Sequence, residues 1–580
     1  MATSVRVDFN VPLKMRDGVT LRADVFRPDD GRKHPAIIVR TPYGKTYSHH
    51  SDYLSAHHAA ANGYAFVVQD VRGRFESEGS GFTIGAAEGE DGYDTVEGIA
   101  AEPWCDGNVG MVGCSYLGRN QWNAAIENPP HLKAISPSVI GSGPLMEARM
   151  AGVVELEQSL NYFVGMAFDM LVRMAKEGKD VTKEFMTLRD ARINITDMFY
   201  HLPLKDLPLF KIEGLGADFL ARQGRAVPPA ITKDEDLLWP YEKVQVPCFH
   251  TGCWYDLYAG GLFNNFVNMR QRAGSALARE NQYVLCGPWI HGARLPNYVA
   301  GINFGNEASG AASMTMERHI TFFDKYLKGI EPPRPMAPVR YFVMGINRWR
   351  SASDWPLPQT DWQRFFFRSK GKANSLNGDG LLTRDCPAAS EPADIFLYNP
   401  RFPVPSLGGR NLDMGTIVAG PLDQRPVEQR NDVLCYTTEE FKEDVEVTGP
   451  IVLHLFAATT VRDTDFVAKL VDVHPDGAAY NIAEGCIRAR FRKGILHEEF
   501  ITPGEVCEYV INMANTSNCF RRGHRLRIDV TSSNFPRIDR NMNTGNPFGE
   551  DAEGIPAIQT IFHRADCASF IDLPVIPAKG

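Results

Sequence analysis

A rhythm of short apolar runs constrains this chain more than any other feature. The runs "AIIVR" (36–40), "YAFVVQD" (64–70), "VGMVG" (109–113) and "KAISPSV" (133–139) are separated by polar and helical stretches. That is the sequence form of a parallel sheet built from βαβ units. The rhythm returns at "VQVPCFHTG" (244–252) and "QYVLCGPW" (282–289), with "GGLFNNFVNMRQRAG" as the helix between them. One sheet split by an insertion is expected. A single core stops growing at about 250–300 residues, so a chain of 580 residues needs several domains.

The insertion, 141–240, has a different texture. Its segment "GPLMEARMAGVVELEQSLNYFVGMAFDMLVRMAKEGK" carries Phe163, Met166, Met170 and Met174 at helical spacing. A helical cap is expected, and a methionine stripe there can pack and line a cleft at once, because methionine adapts to irregular shapes. After the proline-rich "GIEPPRPMAPVRYF" (329–342), short alternating strands dominate. In "HRLRIDV", Leu526, Ile528 and Val530 fall on one face and Arg525, Arg527 and Asp529 on the other. Turns such as "HPDG" and "NTGNPFG" punctuate these runs, which read as a jelly-roll β-sandwich. The expected division is 1–140 with 241–345 for the α/β unit, 141–240 for the cap and 346–580 for the jelly roll.

Charge and cysteine usage narrow the function classes. A net charge of −9 with dispersed basic residues argues against a nucleic-acid surface, and "RARFRK" and "FRRGHRLR" read as solvated strand faces. The first residues lack the apolar stretch of a secretory signal, and no run reaches 18 apolar residues, so a cytoplasmic protein without a membrane segment is expected. Eleven scattered cysteines without a C-x-x-C pair read as buried free thiols rather than a disulfide framework or zinc ribbon. In "SHHSDYLSAHHAA", His50 and His57 on one helix would lie about 10 Å apart, too far to share a zinc ion. No metal or organic cofactor is expected. Self-association into a homodimer is compatible with a large β-sandwich edge.

The hexapeptide "GCSYLG" (113–118) follows a buried strand and precedes a helix. Serine hydrolases place their nucleophile on such a turn, with small neighbours where strand and helix approach. Their usual glycine lies two residues after the serine, whereas here Gly118 lies three after Ser115, so an ordinary turn remains equally open on these residues alone. An acid and a histidine should follow, each just beyond a later strand. Asp256 in "GCWYD" and His291 in "GPWIHG" stand there, whereas His250 lies inside a strand, His131 beside a proline pair, and Asp70, Asp94 and Asp106 precede the serine.

Together, "TPYGK", "DVRGRFESEG", "PWCDGNVGMVGCSYLGRNQW", "GCWYD", "GPWIHG" and "YFVMGINRWR" closely resemble the cocaine esterase family of α/β-hydrolases. Relatives of that family include X-prolyl dipeptidyl peptidases and α-amino acid ester hydrolases. The resemblance spans nearly the whole chain and carries G-x-S-Y-x-G as the family's own elbow. It implies an α/β-hydrolase domain with an inserted helical cap and a C-terminal jelly roll. It also implies Ser115 as nucleophile, Asp256 as acid and His291 as base. The Tyr43 hydroxyl and the Tyr116 backbone N–H would form the oxyanion hole. Trp254, Tyr255, Trp289, Phe163 and Met166 are expected to line the substrate pocket, and Cys114 to point into the sheet. A small to medium apolar ester is the expected substrate. The alternative, an aminopeptidase or amino-acid ester hydrolase, needs carboxylates for an α-ammonium group; Glu155, Glu157 and Asp169 are the acids available in the cap.

Overall fold

The computed structural model describes residues 4–79, 87–212, 223, 227–387 and 391–577. Its first sheet contains ten strands among the described residues: β1 (Val5–Lys14), β2 (Thr20–Pro28), β3 (His34–Thr41), β4 (Ala65–Asp70), β5 (Cys105–Cys114), β6 (Leu132–Ser138), β7 (Cys248–Tyr255), β8 (Gln282–Ile290), β9 (Val339–Val343) and β10 (Arg348–Ala352). They lie in the order β1-β2-β4-β3-β5-β6-β7-β8-β9-β10. From β4 through β9 every pairing is parallel. β6 and β7 are neighbours although about 110 residues separate them, so the expected split sheet is present.

Two-sided burial explains the continuous apolar runs. β3, β4 and β7 are buried at every position, as strands covered by helices on both faces must be. Alternate residues divide between two cores. Ile37, Val39, Phe66 and Val68 pack beneath the helix Thr315–Leu327. Ala36, Ile38, Ala65 and Val67 pack with Trp122 and Ala124 of the helix α3 (Tyr116–Ile126). The N-terminal hairpin β1–β2, joined antiparallel to β4, was not among the expected strands. β10 also pairs in this sheet, seven residues past position 345, because the chain turns back at once after β9.

Residues 141–212 are largely helical, with α4 (Glu147–Met150), α5 (Leu156–Lys176), α6 (Thr182–Ile193) and α7 (Ile195–Tyr200). Residues 213–222 and 224–226 of the expected cap lie outside the described residues. Beyond β10 the chain is β-rich, with twelve mainly antiparallel strands in one hydrogen-bonded network. Its core merges with the first sheet: Trp355 stacks on Phe263 at 3.8 Å between ring centres, and Trp254 donates to the Phe342 carbonyl at 2.7 Å.

Two basic runs behave differently. "FRRGHRLR" keeps Arg521, Arg522 and Arg525 exposed, as expected. "RARFRK" does not form a solvated strand face. Arg488 is buried, donates twice to Asp465 (2.8 and 2.9 Å) and once to Asp539 (2.9 Å), and Arg490 pairs with Asp463 at 2.9 Å. Asp539 in turn accepts from the backbone N–H of Val154 at 2.7 Å, so these ions tie the entry of α5 to the β-rich unit. In "HRLRIDV", Leu526, Ile528 and Val530 are buried as expected. Asp529, expected on the solvent side, is buried too, because a neighbouring turn bearing Glu428 covers that face and pairs with Arg527 at 2.6 Å. All eleven cysteines are free.

The buried Glu155, at the mouth of α5, links packing to pH. Burial raises its pKa to about 7, with Arg537 opposing the shift. The native state therefore holds a proton that the unfolded chain releases from about pH 4.5, the ordinary glutamate value. Its contribution to stability falls as pH rises across that window and is constant above it. Glu155→Gln should give a shallower fall of the thermal midpoint between pH 5 and 7 than the parent chain, as read by thermal unfolding across a pH series. An unchanged slope would show that this carboxyl does not titrate in the window.

Candidate active site

β5 ends at Cys114 and α3 begins at Tyr116, so Ser115 alone makes the turn. It adopts φ 59° and ψ −123°, a conformation rare for a residue with a side chain. Surrounding contacts hold it there: its N–H donates to the Ser138 carbonyl at 2.9 Å, and its own carbonyl accepts from Gly118 (2.8 Å) and Arg119 (2.9 Å). Glycine is required at two flanking positions. At Gly113, with φ +148°, a Cβ would sit 2.6 Å from Leu117 Cβ; at Gly118 it would meet the Ser138 carbonyl oxygen at 3.0 Å. The glycine three residues after the serine thus does the spatial work of the usual glycine two residues after.

Asp256 lies one residue beyond β7, and His291 one beyond β8. Their side chains meet: His291 Nδ1 and Asp256 Oδ2 are 2.8 Å apart, and Asp256 Oδ1 accepts from the Tyr258 N–H at 2.6 Å. The carboxylate is almost wholly buried (1 % exposed), and this pairing leaves Nε2 as the imidazole nitrogen available for other chemistry. Ser115 and His291 line one cavity of about 650 Å³. Their side chains are not hydrogen-bonded to each other, a spacing common before substrate binds.

Tyr43 and Tyr116 line the same cavity. Burial pushes the Tyr43 phenol well above its ordinary pKa, so it stays a proton-bearing donor. Arg74 holds the loop that carries it, donating to the Pro42 carbonyl (3.2 Å) and to the Met166 carbonyl of α5 (3.0 Å), and sitting 3.3 Å from Asp169. The Tyr116 side chain turns inward and donates to Glu88 at 2.5 Å. Its backbone N–H belongs to the first turn of α3, where helical amides have no intrahelical acceptor.

Of the expected pocket residues, Phe163 and Met166 line the cavity, as does Met170. Trp254, Tyr255 and Trp289 do not. Each is 0–1 % exposed. Trp254 and Tyr255 are packed in the shared core, and Trp289 donates to the Ala308 carbonyl at 2.6 Å beneath the sheet. Proximity in sequence to Asp256 and His291 misled here, since neighbouring strand residues point to opposite faces. Cys114 touches the cavity wall rather than facing only inward, yet burial pushes its thiol up to about 12, far from a thiolate. His250 is buried against Gln282 (2.9 Å) with its pKa lowered to about 4 by desolvation, a strand residue as expected.

His50 and His57 do not share a helix. Their rings stack at 6.2 Å, closer than the expected 10 Å, because a turn separates Lys45–His49 from the helix Ala56–Ala61. Among the described residues, ligand-type side chains gather only at Asp472, His474 and His524 in the β-rich unit, where His524 Nδ1 is 2.8 Å from Asp472. Sequence reasoning missed Arg119, Tyr162 and Tyr258 of the cavity, together with Leu412 and Met414. Arg119 was within reach of it, lying four residues after Ser115 on the same helical face. Leu412 and Met414 carry no local signal.

Gly113→Ala tests the turn. Strain and the clash with Leu117 should cost about 1–3 kcal/mol of stability and, by displacing Ser115, lower turnover about tenfold to a hundredfold. Thermal unfolding and steady-state kinetics would read both, and parent-like values would show that the turn tolerates a side chain.

Comparison with known proteins shows which family the chain belongs to. Residues 17–293 match the X-Pro dipeptidyl-peptidase (S15 family) model, and residues 335–572 match the X-Pro dipeptidyl-peptidase C-terminal non-catalytic domain. The chain is 36% identical over 587 residues to the cocaine esterase of Rhodococcus sp. (strain MB1 Bresler), covering 98% of each. It is 24% identical to a putative serine esterase of Mycobacterium bovis, covering 97% of this chain and 94% of that one. Among solved structures, an aminopeptidase from a marine sediment archaeon, Thaumarchaeota archaeon, superposes with a TM-score of 0.79 at 23% identity, over 100% of this chain and 97% of the other. An α-amino acid ester hydrolase superposes with a TM-score of 0.72 at 21% identity, over 99% and 97%. The fold is that of an α/β-hydrolase with a β-rich C-terminal unit, and the chain belongs to the cocaine esterase family.

Proposed function

We propose that the chain is a serine carboxylesterase acting through an acyl-enzyme on Ser115. The observation that carries this reading is the opening of Ser115 and of the Asp256-anchored His291 onto one cavity beneath the α5 cap. With Nδ1 held by Asp256, His291 Nε2 takes the Ser115 proton as Oγ attacks the ester carbonyl. The Tyr43 hydroxyl and the Tyr116 N–H receive the oxyanion. His291 then protonates the leaving alcohol, and a water deprotonated by the same nitrogen releases the acid. Asp256 steadies the imidazolium in both halves.

No aspartate or glutamate lines the cavity among the described residues, which favours an ester over a substrate with a free α-ammonium group. The cap acids are engaged elsewhere: Glu155 faces Arg537 (3.9 Å), Glu157 accepts from Thr416 and Asn161, and Asp169 is close to Arg74. The proposed catalytic unit is 1–140 and 241–345 with 141–240 as its cap, and the pairing of β10 with β9 supports extending it to Ala352. No described helix is long and apolar enough to cross a membrane.

Ser115→Ala should abolish hydrolysis of an uncharged aryl ester and covalent labelling by a fluorophosphonate, with the thermal midpoint kept. Near-full activity in that variant would refute the assignment. Tyr43→Phe should lower turnover about 10²–10³-fold, the usual cost of one oxyanion donor. Faster cleavage of an X-prolyl anilide than of the aryl ester would favour the aminopeptidase reading.

A further inference from the structure

Arg119 is a cation in the cavity wall without an anion beside it. It lies on α3 one turn after Ser115 and lines the same cavity. Among the described residues it makes no ion pair. Its contacts are a hydrogen bond from Nη1 to the Pro144 carbonyl (3.2 Å) and a position 5.8 Å from the Trp239 ring centre. Its Nε is buried without an acceptor. The acids nearest in function are taken: Glu147 accepts from the Gly260 and Gly261 amides, and Glu88 pairs with Arg40. A partly buried guanidinium lacking a counter-ion is costly to keep. Some buried arginines of this protein are matched with carboxylates, as Arg488 is with Asp465 and Asp539, whereas Arg410 and Arg540 rest on backbone carbonyls.

The surroundings of Arg119 are donors as well. Tyr162 and Tyr258 line the same cavity, and the Tyr162 ring packs edge-on to Tyr43 at 6.4 Å between ring centres, with its hydroxyl beside the Tyr43 hydroxyl. Arg119 is near enough to both phenols to favour their ionisation, but burial dominates, holding Tyr162 up at about 12, and the Glu155, Asp256 and Glu147 carboxyls oppose it at Tyr258. A guanidinium with phenol donors, and no carboxylate in the cavity lining among the described residues, forms a receptor for an oxyanion supplied from outside. Guanidinium and carboxylate match in geometry as well as in charge.

We propose that Arg119, with Tyr162 and Tyr258 beside it, forms a carboxylate-binding subsite, so that the preferred substrates are esters bearing a free carboxylate a short distance from the scissile carbonyl. Arg119 comes four positions after Ser115, about one helical turn, so the carboxylate would lie a few bonds from the scissile carbonyl, as in a half-ester of a short dicarboxylic acid. The inference rests on the esterase reading above for its substrate, but the binding it asserts can be read without turnover.

The test compares pairs of equal shape. A carboxylate on the acyl side is probed by an aryl hydrogen adipate against the aryl hexanoate, and one on the alcohol side by 3-acetoxybenzoate against phenyl acetate. In one of these pairs the parent chain should favour the carboxylate ester in kcat/KM by tenfold or more. Arg119→Gln should lower that ratio at least tenfold, and Arg119→Lys should retain part of it. Calorimetry on Ser115→Ala gives the second readout: in the pair that shows the kinetic preference, monomethyl adipate against methyl hexanoate or 3-acetoxybenzoate against phenyl acetate, the carboxylate ester should bind at least tenfold tighter, and Arg119→Gln in that background should remove the difference. Ratios near one in both ester pairs, or a ratio indifferent to Arg119→Gln, would overturn the subsite while leaving the esterase reading intact. Selective binding to Ser115→Ala with no hydrolysis of any ester by the parent chain would sustain the subsite and remove the esterase reading. If Arg119→Gln does not fold, equal binding to Ser115→Ala within both pairs, monomethyl adipate against methyl hexanoate and 3-acetoxybenzoate against phenyl acetate, is enough to overturn it.

Discussion

The site depends on one reversal of the backbone at Ser115. A parallel strand buried on both faces must deliver its chain to a helix lying close against the sheet, and a single residue with positive φ makes the connection. That geometry lifts the serine hydroxyl into the cavity while aiming the first amides of α3 past the helix end. It is affordable only because Gly113 and Gly118 leave room for Leu117 and for the Ser138 carbonyl. The Ser115 N–H bond to β6 then fixes the turn relative to the next strand. Asp256 and His291 follow from the same sheet, one at the end of each of the next two strands, so a single topology places all three.

The cap and the β-rich unit complete the cavity by a different kind of force. α5 is held to the first sheet by Arg74, which reaches both the Tyr43 loop and the Met166 carbonyl. It is held to the C-terminal unit by apolar packing that joins Leu156 and Leu160 to Phe535, and by the Asp539 bond at its entry. Buried ion clusters of this kind contribute little net stability, since desolvation offsets their attraction. Their effect is directional: breaking one partner leaves a charge stranded, which penalises any other seating of the cap. Shape and orientation of the pocket therefore depend on charges distant from the chemistry.

Much of this was legible before the structure. The split sheet, the insertion and the β-rich C-terminal part follow from the period of the apolar residues, which differs between strand and helix. Ser115, Asp256 and His291 stand out because each lies just past a recognisable strand. The misreadings share a cause. Trp254, Tyr255 and Trp289 sit beside site residues in sequence, but strand alternation and a second layer of core turn them away from the cavity. "RARFRK" looks solvated until Asp463, Asp465 and Asp539 are seen to surround it, and Asp529 until the turn bearing Glu428 covers it.

By itself the amino-acid sequence determined the architecture, because periodicity, turn chemistry and strand order are local properties that short segments carry, and it offered Ser115, Asp256 and His291 as candidates whose roles the family resemblance implied. Tertiary structure alone decided the pocket: that Leu412 and Met414 of the C-terminal unit line one cavity with Met166 of the cap, that no described acid lines it, and that Arg119 stands there without an ion pair among the described residues. The physical reason is that electrostatic pairing and pocket shape depend on which distant groups are brought together, a matter of through-space distance on which sequence separation places almost no limit.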